Sequence, residues 1–124
     1  MDVVLQVLAG LLCLPLTALG LKSMLKPMSM LDDLAVDPRG AVGLNTIRGM
    51  MGGVLLSSAG MIAWGLYSGE TVLLLAVAVL MAAIAVGRLL GVALDGFDKA
   101  VVRPIVIELV LVVLLVGIHL GAAV

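Results

Sequence analysis

The chain has 124 residues, of which 64% are hydrophobic and 12% charged. Soluble domains run at about 45–50% apolar and about 25% charged, so an ordinary water-soluble domain and a disordered segment are both excluded. Seven Lys plus Arg against eight Asp plus Glu leave a formal net charge of -1, which provides no basic field for a nucleic acid.

The mean hydropathy of +1.36 makes the bilayer the expected solvent. A hydrocarbon core about 30 Å thick needs about 20 mostly apolar helical residues to cross it. Four such runs follow in order, at about 3–21, 45–67, 71–94 and 104–124. The first is read as a span and not as a signal peptide, because Asp2 precedes it and Lys22 and Lys26 follow it, the inverse of a signal peptide's charge order. Between the first two spans, residues 27–36 form a short interfacial helix with Met28, Leu31 and Leu34 toward the acyl boundary and Asp32 and Asp33 toward water. Residues 37–40 (Asp-Pro-Arg-Gly) make a turn, as do Ser68-Gly69-Glu70-Thr71 after the second span and Asp95-Gly96 after the third. Pro104 suits the first turn of the last helix, where its missing N–H loses no partner.

Lys22, Lys26, Arg39, Lys99 and Arg103 all fall in the first and third connections. The positive-inside rule then puts those connections in the cytoplasm and both termini outside. Trp64 and Tyr67 mark the outer interface and Phe97 the inner one. The expected fold is all-α: one transmembrane domain over 1–124, an antiparallel four-helix bundle with the short interfacial helix between helices 1 and 2, in a cell inner membrane. Helices in lipid associate through small residues and interhelical hydrogen bonds. Four-residue spacing nominates Ala9, Cys13 and Thr17 on the first span, Gly49, Gly53 and Ser57 on the second, Ala83, Gly87 and Gly91 on the third, and Gly117 and Gly121 on the fourth.

The candidate functional residues are the ionisable groups inside the spans, each costing about 2.5–3.5 kcal/mol at a helix centre on insertion scales. Arg48 enters the second span, Arg88 lies about six residues before the inner end of the third, and Glu108 about four residues into the fourth. At 1.5 Å per residue all three occupy one layer, roughly 5 to 10 Å inside the boundary. Asp95 stands two turns beyond Arg88 on the same face, so Arg48, Arg88, Asp95 and Glu108 can form a balanced buried network or a ligand-binding layer. His119 lies eleven residues after Glu108, about 20° away on the helical wheel, and Gln6 is at a similar outer depth; the two form the candidate outer polar pair. A lone Cys13 and a lone His119 build neither a disulfide nor a zinc site. Eight methionines offer soft ligands for Cu(I), yet Met24, Met28 and Met30 have no Cys or His at ligand spacing and serve as apolar filler. No metal, cofactor or catalytic residue is assigned.

The stretch Asn45-Thr46-Ile47-Arg48-Gly49-Met50-Met51-Gly52-Gly53, the Gly87-Arg88-Leu89 step, the Asp95-Gly96 turn and Glu108 resemble the DUF4345 family. The likeness covers residues from about 45 to the C-terminus, more loosely the first helix through Pro15. That resemblance implies a small bacterial membrane protein with four spans and no assigned function. Three functions compete. The leading one is a non-enzymatic accessory or oligomeric component that binds a hydrophobic or anionic ligand at the Arg/Glu layer; its partners are the bilayer, a second copy or another membrane protein, and an anionic lipid. The second is a small dimeric transporter of the length of small multidrug resistance proteins, which use a carboxylate in the first helix where this chain has Gln6. The third is a lipid-modifying enzyme with Arg48 and Arg88 on a phosphate and Glu108 as base, lacking a second nucleophile or metal set.

Overall fold

The computed structural model describes residues 3–123. Among them 90% are helical and none lies in a strand. In chain order the elements are α1 (Val3–Leu25), a 3-10 turn (Pro27–Met30), α2 (Leu31–Leu34), α3 (Gly40–Thr46), a π-helical segment (Ile47–Gly52), α4 (Gly53–Ser68), α5 (Val72–Asp95), a second 3-10 turn (Lys99–Val101) and α6 (Val102–Ala123). Four stretches are long and apolar enough to cross a membrane: Val3–Leu25, Gly40–Ser68, Val72–Asp95 and Lys99–Gly121.

Each boundary has a local cause. α1 continues four residues past the expected Leu21, because Lys22, Met24 and Leu25 are good helix formers, and stops where Pro27 disfavours helical geometry at Lys26 (φ -133, ψ 66). The expected interfacial helix at 27–36 is instead the 3-10 turn followed by one α-helical turn. It ends at Ala35, whose left-handed backbone (φ 54) lets Ala35 N and Val36 N reach the carbonyls of Asp32 and Leu31. Met28 is exposed and Leu31 and Leu34 are half-buried, whereas Met30 is buried. The second span starts at Gly40, five residues before the expected Asn45, with Gly43 N donating to the Arg39 carbonyl. Arg48 therefore sits in the π segment and not in a first helical turn. The Gly69 turn needs its positive φ of 78, and Ser68 Oγ closes back on the Trp64 carbonyl at 2.7 Å. Asp98 accepts from Ala100 N at 2.9 Å and starts the last helix ahead of Pro104, which lies in the first turn of α6.

The chain forms two compact units, Met1–Ala9 with Trp64–Val124, and Gly10–Ala63. In the second of these, α1 and α4 run antiparallel. A Cβ at Gly20 would lie 2.8 Å from Leu56 Cγ, a Cβ at Gly52 would lie 3.0 Å from Met24 Cβ, and Cys13 Sγ donates to the Ala59 carbonyl at 3.6 Å. This seam is offset from the expected one, since nothing lies within 4 Å of a Cβ at Gly49 or Gly53 and Ser57 is exposed. Lys22 Nζ and Asp33 Oδ2, both exposed, pair at 3.7 Å beside it.

In the other unit α5 packs along α6. Leu74, Val77, Ala78, Met81 and Ala85 are buried on α5, as are Leu111, Leu115 and Ile118 on α6, at the three- and four-residue intervals of a helix face. Ala83 and Gly87, nominated for packing, are exposed. The close approach of glycine occurs instead at Gly65, where a Cβ would meet Leu74 Cδ1 at 2.5 Å.

Candidate functional site

Inside the unit of α5 and α6 the last two spans are tied by a polar contact near each end. Arg88 Nε donates to Glu108 Oε1 at 2.7 Å. Seventeen residues earlier, immediately before α5, Thr71 Oγ1 lies 3.1 Å from His119 Nδ1. The two contacts make the hairpin antiparallel, with the buried apolar face between them.

The pair at Arg88 is asymmetric. Glu108 is 8% exposed, whereas the Arg88 side chain keeps 37% of its surface open. Only one edge of each group is used. Glu108 Oε2 is buried with no hydrogen-bond partner among the described residues, and Arg88 donates through Nε alone, so its two terminal nitrogens have no protein acceptor there. A guanidinium carries five N–H donors and can grip a second planar or tetrahedral anion while holding the first.

The other nominated residues are distributed as follows. Asp95 ends α5, is exposed and joins no ion pair among the described residues. Its Oδ2 lies 3.9 Å from where a Cβ of Gly91 would be, so the carboxylate sits over the glycine between itself and Arg88. Arg48 Nη1 donates to the carbonyls of Met24 at 2.6 Å and Leu25 at 3.4 Å, closing the C-terminal turn of α1. This satisfies acceptors that a helix end leaves open and matches a cation to the negative end of its dipole. His119 is half-buried and takes Thr71 as partner, while Gln6 is exposed and makes no side-chain hydrogen bond among the described residues. Leu115, between Glu108 and His119, is fully buried. Sequence reasoning read Thr71 as part of a turn and as the start of the third span, and missed it as the partner of His119. Its position at the end of α5, level with the far end of α6, was the available signal.

Fold and site together define an all-α chain with four helices able to cross a membrane and an ion pair lodged within the last two. A family profile described as a domain of unknown function, DUF4345, matches residues 4–119. The chain belongs to that family. Comparison with curated proteins and with solved structures returns no match.

Proposed function

We propose that this chain is a multi-pass membrane protein that binds a phosphate-bearing lipid headgroup at Arg88 without turning it over. The carrying observation is the one-edged pair. Arg88 is held in place by Glu108 through Nε, and its remaining donors stay open on a side chain that is 37% exposed within an apolar span. Unsatisfied donors at that depth are costly, and a phosphate oxygen is the acceptor a bilayer supplies. The fork is already oriented by Glu108, so a headgroup binds without first ordering a long flexible side chain. The exposed neighbours Val86, Leu89 and Leu90 leave this part of α5 open to acyl chains.

Melting of the detergent-solubilised protein with added lipid tests this. A diacyl phospholipid raises the midpoint more than a diacylglycerol with the same chains. Arg88→Lys, which keeps the charge facing Glu108 and loses the fork, cuts that advantage by about tenfold in apparent affinity. Equal gains with and without a phosphate overturn the proposal.

The Lys and Arg asymmetry supports both termini lying outside, which assigns the Arg88 layer to the inner leaflet. A reporter active only outside the cytoplasm, fused after residue 124, then gives signal. A cytoplasm-active reporter at the same point stays silent, and the reverse pattern overturns this orientation.

A further inference from the structure

Within the headgroup reading above, on which this inference rests, the charge order along α5 and α6 discriminates among phospholipids. The charges at this end of the hairpin are Arg88, Lys99 and Arg103 against Asp95, Asp98 and Glu108, which cancel. A neutral cluster has no net field with which to prefer an anion. Its charges are ordered instead. Arg88 is the deeper cation, already bound on one edge by Glu108, and Asp95 is the shallower anion, about 10 Å farther along the helix axis at its last residue. Asp95 is exposed, has no ion-pair partner among the described residues, and lies over Gly91, which presents no side chain between it and Arg88.

In a phospholipid the phosphate is esterified to the glycerol and so lies nearer the acyl chains than the substituent it carries. We infer that the site selects a lipid whose phosphodiester bears a primary ammonium: the phosphate oxygens accept from Arg88, and the ammonium donates to Asp95. Such a headgroup is itself neutral overall and leaves the local charge balance unchanged, whereas an anionic headgroup adds an uncompensated charge. A quaternary ammonium has the same charge but no N–H to donate, so it forgoes the charge-assisted hydrogen bond to the carboxylate. A lipid is favoured over a soluble phosphoethanolamine by the apolar surface beside Arg88 itself, where Val86, Leu89 and Leu90 are exposed on α5.

The experiment compares dioleoyl phosphatidylethanolamine, phosphatidylcholine and phosphatidylglycerol, titrated into the detergent-solubilised protein with the melting midpoint as readout. Phosphatidylethanolamine binds about tenfold more tightly than either of the others. Asp95→Asn, an exposed change that breaks no contact between described residues, keeps an acceptor but loses its charge, so it cuts the advantage of phosphatidylethanolamine over phosphatidylcholine several-fold and leaves the phosphatidylcholine response unchanged. Equal responses to phosphatidylethanolamine and phosphatidylcholine, a phosphatidylglycerol response as large, or an unaltered preference in Asp95→Asn overturns the inference. Free phosphoethanolamine gives no gain; a gain matching the lipid's overturns the lipid as its source. If no phospholipid exceeds diacylglycerol, the headgroup site itself fails. If all three exceed it equally, the site stands and only the selection fails.

Discussion

Arg88→Leu and Glu108→Gln each destabilise the solubilised protein by about 3–5 kcal/mol, because removing one partner orphans a charge held in a low-dielectric setting. Glu108→Gln falls at the low end, since its amide oxygen still accepts from Arg88 Nε, the donor now 2.7 Å from Oε1. The double change loses less than the sum by about 1–3 kcal/mol, the coupling expected of two groups in direct contact. Reversible melts or denaturant titrations in one detergent, run on the unsubstituted protein and all three variants, measure it. Strictly additive losses show that the two charges act independently, and both the clasp and the oriented guanidinium of the headgroup reading fail with them.

Gly52→Ala destabilises the unit of α1 and α4 by about 1–3 kcal/mol, the usual cost of overpacking. Its new Cβ would stand 3.0 Å from Met24 Cβ and 3.2 Å from both Met24 Cα and Met24 N, so a length of main chain has to shift and not merely a flexible tip. Gly53→Ala, one position on, meets nothing within 4 Å and gains helix propensity, so it is neutral or stabilising by up to about 1 kcal/mol. The two adjacent substitutions give opposite signs in the same denaturation assay. The reverse ranking moves the helix seam to the Gly49 and Gly53 face.

These two substitutions also mark where reading the sequence stops. Arg88 and Glu108 could be paired from sequence because a charge in a span is expensive wherever it lies, and antiparallel connections put the two at one depth. Arg48 obeys the same rule, yet its acceptors are the carbonyls of Met24 and Leu25, and main-chain atoms leave no trace in residue identity. The early start of the second span at Gly40 has a related cause: Asp37-Pro38-Arg39-Gly40 reads as a turn, and it takes the Gly43 N to Arg39 carbonyl bond to show the helix already under way.

Run length and composition were enough to give four helices long and apolar enough to cross a membrane, and with them the helical class, since a bilayer demands long apolar runs and internal backbone hydrogen bonds whatever the helices then do. They also singled out the charges that fall inside those apolar runs. Which face of each helix packs emerges from the fold alone. In water a core face differs from a solvent face by polarity, and the period of that contrast can be read from the residues. Here the packed and open faces are both apolar, so Gly52 and Gly53, or Ala85 and Ala83, differ only in how closely a neighbouring helix approaches. That distance is a property of two surfaces fitted together.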